Sequence, residues 1–260
     1  MQDETNLPGA PKHRARRILI GLIVLGLLGV GGYVLTHQSK KGPHQPATAS
    51  TTPPAFNKKQ YSLDKSSSIW VVVNKGRALA PIDYAPTNLM APNVPLRLPK
   101  TDPEMQMNAD AAHALESLFA AAQADGLKFK LSSGYRSYKE QIALFSQYAA
   151  QQGQASANRE SAHAGHSEHQ TGLAADVAPA DGRCVVQQCF ANTAEGKWLV
   201  INAATFGFVI RYQAGKENVT GYEYEPWHIR FVGQALASEL KKTGQTMEEF
   251  FSLPAIPLDS

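Results

Sequence analysis

From Ile18 to Leu35 the chain reads ILIGLIVLGLLGVGGYVL, a run of 18 residues without a charge. No other feature restricts the possible folds so strongly. As a helix rising ~1.5 Å per residue the run is about 27 Å long, close to the roughly 30 Å hydrocarbon core of a bilayer. Lys12, Arg14, Arg16 and Arg17 precede it, and the nearest bases beyond it are Lys40 and Lys41. That asymmetry favours a cytoplasmic N-terminus and a translocated remainder. A cleaved signal peptide is the rival reading. Its apolar region is normally about 7–15 residues with a small-residue cleavage site soon after. Here THQSKK follows, and the Ala47–Ala49 pattern lies well downstream. No cysteine follows the run, so a lipoprotein anchor is unsupported. A buried core helix would carry neither the basic flank nor the polar segment behind it. The expected organisation is a cytoplasmic basic tail at 1–17 and a transmembrane anchor at 18–36. A Pro/Ser/Thr/Lys-rich linker follows at 37–60, then an extracytoplasmic domain at 61–260.

The charge divides along the same boundary. The whole chain has 25 Lys+Arg and 22 Asp+Glu, a formal +3. Residues 1–60 hold eight of the bases and only Asp3 and Glu4 as acids, net +6. Residues 61–260 therefore hold 17 bases and 20 acids, net −3. The balance is too weak to suggest a dedicated nucleic-acid binder, and its basic sign belongs wholly to the N-terminal segment. The two cysteines exclude a four-cysteine zinc finger and a disulfide-dense miniprotein. Outside the cytoplasm, Cys184 and Cys189 are expected to close a small disulfide loop.

Within the domain, IWVVV (69–73) ahead of Asn74-Lys75-Gly76 predicts a strand and a turn. Residues 80–103, rich in Pro and Asn, predict surface loop. Asn108 is placed to cap a helix to about Ala124 that buries Ala111, Leu115, Leu118, Phe119 and Ala122, with Gly126 as its stop. FKLSS (129–133) predicts a strand. Ser137 and Glu140 form a capping box for a helix expected to bury Ile142, Phe145, Tyr148 and Ala149 and to end near Gly153. A helix at about 193–206, strands at about 208–212 and 228–232, and a helix at about 234–242 complete the pattern. With no regular βαβ repeat and no Gly-rich phosphate loop, the class is α+β.

The chemistry is concentrated in two stretches. His163, His166 and His169 fall within seven residues of AHAGHSEHQTGLAADV, which also holds Asp176. About fifty residues on, EPWHIRF carries Glu225 and His228. Two His and one Asp would supply three zinc ligands and leave a fourth position open, and a nearby Glu can serve as a proton acceptor. The composition suits a metallohydrolase, and the absence of His-Glu-x-x-His excludes that class of metalloprotease. Composition alone leaves the assignment of the individual histidines open.

The motifs resemble a known family. SEHQTGLAAD (167–176) is similar to the Ser-x-His-x-x-Gly-x-x-x-Asp signature of D-alanyl-D-alanine carboxypeptidases of the VanY type, and EPWH (225–228) to their second signature. SSGYRSYKEQ (132–141) and WVVVNKGRALAPIDYAP (70–86) also look like this family, so the likeness covers about 69–232. Ala164 departs from it, standing where relatives often carry Pro. The resemblance implies a LAS or Hedgehog-like peptidase fold: a small central antiparallel sheet flanked by helices, with a zinc site at the sheet. It implies one zinc per chain bound by His169, Asp176 and His228, with Glu225 as catalytic base and His166 as no ligand. Arg136 would meet negative charge on the substrate or oxyanion, with Ser167, Gln141 and Tyr135 near the substrate. It also implies hydrolysis of the C-terminal D-alanine of peptidoglycan stem peptides, D,D- on pentapeptide or L,D- on tetrapeptide. The competing functions are an endopeptidase of the same fold and a non-catalytic wall-binding protein with a structural zinc.

Overall fold

A computed structural model describes residues 55–259. The expected basic tail, the anchor and most of the linker lie outside the described residues. Among the described residues no helix is long and apolar enough to cross a membrane.

A short antiparallel ribbon, β1 (Leu89–Met90) with β2 (Met107–Asn108), leads into helix α1 (Ala109–Ala124). Asn108 caps α1 by accepting from the Asp110 amide at 3.0 Å. Ala111, Leu115, Leu118, Phe119 and Ala122 are all buried, as their helical spacing requires. Each large apolar side chain so buried contributes about 1.5–3 kcal/mol. Strand β3 (Phe129–Ser133) follows. Helix α2 (Tyr138–Gln152) then starts at the expected reciprocal cap. The Glu140 amide donates to Ser137 Oγ at 3.2 Å, and the Ser137 amide to Glu140 Oε2 at 2.8 Å. Next come α3 (Gln154–Glu160), β4 (Ala174–Pro179), α4 (Ala194–Asn202) and β5 (Phe208–Tyr212). The chain closes with α5 (Glu217–Thr220), β6 (Glu225–Phe231), α6 (Gln234–Thr243) and α7 (Met247–Phe250).

The four longer strands form one antiparallel sheet in the order β3-β4-β6-β5, so the class is α+β as expected. Strand alternation gives this sheet two unlike faces. One carries Phe129, Leu131, Ala175, Val177, Phe208, Trp227 and Ile229 into a core shared with α1 and with Leu199 of α4. The next residues along, Asp176, His228, Arg230 and Arg211, are also buried, yet polar. A second apolar cluster joins Trp70 and Val72 to Leu236, Leu240, Met247 and Phe250.

Some expectations are corrected. Residues 69–73 form no strand: Ile69 and Trp70 lie in a turn, and Trp70 to Val73 are buried. Alternate side chains enter the two apolar clusters, Val71 and Val73 the first, Trp70 and Val72 the second. Three of their carbonyls are taken by arginine side chains instead of a neighbouring strand. Arg230 donates to Ile69 O and Val71 O, and Arg77 to Val72 O. The turn at Lys75-Gly76 is present, closed by an Asn74–Arg77 bridge. In α2 the inward residues are Gln141 and Phe145, whereas Ile142 is 47% exposed. The 193–206 helix is regular to Asn202 and tightens to a 3-10 turn over Ala203–Phe206. Strand β6 starts three residues before the expected point. Pro226 lacks an amide, but at the start of a strand this costs little.

Candidate active site

The strand register builds the site. Asp176 on β4 lies directly opposite His228 on β6, and Ser133 on β3 faces Asp176 across a bulge. Tyr212 on β5 faces Glu225 on β6, again beside a bulge. Four strands thus converge on one end of the polar face.

His169 reaches this point from a loop. Ser167-Glu168-His169-Gln170-Thr171-Gly172 forms a tight 3-10 turn in which nearly every side chain has an assigned contact. Thr171 Oγ1 donates to Glu168 O at 2.6 Å and accepts from the Leu173 amide at 3.1 Å. Gln170 accepts from the Gly165 amide and donates to Ile82 O and Tyr84 O. Gly172 ends the turn at φ +69°, where a Cβ would lie 2.9 Å from the Asn108 amide nitrogen. Gly134 is also obligatory, because a Cβ there would sit 2.4 Å from Gln106 O. Its own carbonyl lies 2.6 Å from His169 Nδ1, so the other ring nitrogen of His169 faces the site.

The result brings together the three residues put forward as ligands. His169 Nε2 is 3.4 Å from Asp176 Oδ2, and His228 Nδ1 is 3.3 Å from Asp176 Oδ1. One donor atom from each lies within 4.8 Å of the others, and all three residues are buried. Asp176 Oδ1 nevertheless forms no hydrogen bond. An orphaned carboxylate oxygen between two imidazoles is costly to bury, and two nitrogens with one oxygen are a donor set that fits zinc.

Electrostatics agree with a cation site. Burial would raise the Asp176 carboxyl, but His169 and His228 outweigh it and hold it below the usual carboxylate range. Burial pushes His169 down, with the Asp176 carboxylate opposing. Burial also opposes charge on His228, yet the Asp176 and Glu168 carboxylates beside its two ring nitrogens push it up to about 9. Burial pushes Glu225 up to about 8, with Asp176 and Glu168 adding and His228 and Arg136 opposing. A divalent cation would replace the proton on His228 and relieve the crowded carboxylates.

These groups line a cleft of about 340 Å³ that also holds Arg136, Gln141 and Ser167. Glu225 Oε2 lies 3.5 Å from His228 Nδ1. Arg136 donates to Gln141 Oε1 and Ser133 Oγ, both at 3.1 Å, so neutral partners aim its charge. Gln141 is wholly buried and its amide also donates to Ser161 Oγ and Ala162 O, so it positions Arg136 from behind. Tyr135 is buried and does not line the cleft. His166 is tied to Asn74 O and stays outside it. Cys184 and Cys189 form the expected disulfide. The loop it closes brings Val185 and Val186 to the cleft wall, beside Tyr148, Tyr222 and Trp227.

Sequence reasoning passed over Glu168. Its carboxylate is wholly buried and bound by Arg211 Nε at 2.8 Å and Arg230 Nη1 at 2.7 Å, with His228 Nε2 at 3.3 Å. Glu248 completes the cluster, pairing with Arg211 at 2.6 Å and accepting from Asn74 at 2.9 Å. Two arginines and two glutamates balance, as burial demands.

Comparison with known proteins places the site in a family. A model described as D-alanyl-D-alanine carboxypeptidase, VanY, matches residues 104–234. A protein called putative carboxypeptidase YodJ, from Bacillus subtilis, is 38% identical over 221 residues, covering 83% of this chain and 81% of its own. The LdcB LD-carboxypeptidase structure is 38% identical with a TM-score of 0.68, covering 74% of this chain and 89% of that one. A VanY D,D-pentapeptidase variant in complex with Zn(II) is 29% identical with a TM-score of 0.58, covering 72% and 99%. The chain belongs to the VanY family of D-alanyl-D-alanine carboxypeptidases.

Proposed function

We propose that this chain is a zinc-dependent carboxypeptidase that removes the C-terminal D-alanine from peptidoglycan stem peptides. The observation that carries the proposal is the buried His169–Asp176–His228 trio with its orphaned oxygen, opening onto a cleft beside Glu225 and Arg136. His169 Nε2, Asp176 and His228 Nδ1 would hold the metal. When bound, zinc supplies a Lewis acid that polarises the scissile carbonyl and makes water nucleophilic near neutral pH. Glu225 accepts the proton of the attacking water at its carboxylate and returns it to the departing amine. The Arg136 guanidinium, held by Gln141 and Ser133, meets the substrate carboxylate or the negative charge that develops on the carbonyl oxygen. Ser167, on the cleft wall, is a further hydrogen-bonding group for the peptide. Tyr135, buried and outside the cleft lining, is given no substrate contact.

The intact base argues for catalysis over a purely structural metal, which would need no proton acceptor. The test is incubation of the full chain with defined tetrapeptide and pentapeptide stems, with product masses read with and without chelator. Loss of one alanine, stopped by chelation, is expected from at least one stem. Internal cleavage would favour an endopeptidase, and no product in the presence of zinc would favour a wall-binding role. Whichever stem is shortened assigns D,D- or L,D-specificity.

The proposal extends to placement. Residues 1–17 lie in the cytoplasm, 18–36 cross the membrane, and the linker 37–60 presents the domain outside, near its polymer substrate. The charge asymmetry and length of the apolar run support this. The chain should stay in the membrane pellet through alkaline carbonate extraction, and release into the supernatant would count against an anchor.

A further inference from the structure

We infer that Glu168 is a positioning residue that fixes the His228 ring so that Nδ1 is its metal-binding nitrogen. This rests on the zinc site proposed above. His228 has two ring nitrogens in different surroundings. Nδ1 faces Asp176 Oδ1 at 3.3 Å and Glu225 Oε2 at 3.5 Å. Nε2 instead meets the wholly buried carboxylate of Glu168, with Oε2 at 3.3 Å. A carboxylate can only accept, so this contact places the ring proton on Nε2 and leaves the Nδ1 lone pair for the metal. A carboxylate partner on the far nitrogen also raises the basicity of a ligating imidazole.

The rest of the cluster keeps Glu168 from turning. Its Oε1 accepts from both Arg211 and Arg230, leaving Oε2 for His228. Arg211 is held in turn by Glu248, and Arg230 by Ile69 O and Val71 O. Glu168, Glu248, Arg211 and Arg230 have side chains at most 1% exposed, so water offers no competing partner. The residue beside one proposed ligand, His169, thereby orients the other from 60 residues away.

Glu168→Gln tests the geometry at almost constant shape. The two arginines can only donate, so they hold the amide oxygen and turn the NH₂ group towards His228 Nε2. That nitrogen must then accept, which forces the ring proton onto Nδ1. Zinc affinity of the full chain, measured by competition with a chromophoric chelator, is expected to fall about 10–100-fold. Glu248→Gln removes the same charge from the same cluster without touching His228. It should lower thermal stability yet keep zinc affinity within about twofold. Unchanged affinity in Glu168→Gln, or an equal loss in both variants, overturns the inference. A measurement without mutation covers the case of misfolding. In zinc-loaded wild-type chain with ¹⁵N-labelled histidine, NMR should find the His228 proton on Nε2 and zinc on Nδ1. The reverse tautomer overturns the inference while leaving the zinc site standing. A folded wild-type chain that binds no zinc overturns both.

Discussion

Glu225→Gln is expected to lower kcat by about 10²–10⁴-fold, the usual scale for a lost general base, while zinc remains bound. The substitution keeps the shape of a side chain at the start of β6 and removes its capacity to take a proton. Steady-state kinetics beside metal analysis checks this. Turnover within tenfold of wild type, or loss of zinc in parallel, would assign the proton transfer elsewhere. The same variant has a signature in the metal-free chain. Burial raises Glu225 from the ordinary 4.5 to about 8, and the neighbouring carboxylates, against burial, raise His228 from 6.5 to about 9. A group whose folded pKa is raised contributes stability below its unfolded pKa and loses it as pH rises through the folded value. Metal-free wild type should therefore lose thermal stability as pH rises towards 8, and Glu225→Gln should lose less.

His228→Ala should cost more, because it removes a ligand and not only a proton acceptor. Two donors remain, fewer than the three protein ligands of a catalytic zinc site. Zinc content should fall to background, and activity should fall by about 10³-fold or more with the loss of metal electrostatics. Ligand linkage supplies a readout apart from catalysis. Zinc at about 100 times its Kd stabilises a folded chain by about 2.7 kcal/mol, which for a domain of this size is a rise of about 5–11 °C in Tm. Wild type should show that rise and His228→Ala none. A variant that keeps one zinc per chain and the full Tm gain would remove His228 from the site.

Much of the fold was legible because it depends on local signals. The Asn108 cap, the Ser137–Glu140 box, the apolar spacing of α1 and the FKLSS run act within a few residues, and each is realised. The two motif stretches likewise contain the residues that the sheet brings together, since Asp176 and His228 need only a β4–β6 register to meet. The illegible parts depend on distant partners. IWVVV has strand composition, but its carbonyl partners are arginine side chains, one from β6. Ile142 looks like a core residue by spacing, yet the buried position beside it belongs to Gln141, which holds Arg136. Glu168 reads as a solvated charge because Arg211 and Arg230 lie 43 and 62 residues further along. One signal was present. Arg211 and Arg230 sit within the apolar strands FVIRY and EPWHIRF, where a buried arginine calls for a carboxylate.

The most direct test of the central claim is anomalous diffraction at the zinc absorption edge from crystals of the zinc-loaded chain. The account predicts one zinc peak, bonded to His169 Nε2, an Asp176 carboxylate oxygen and His228 Nδ1, with Glu225 beside it but unbonded. Zinc bound elsewhere, or a site completed by Glu225 with no open position, would contradict it.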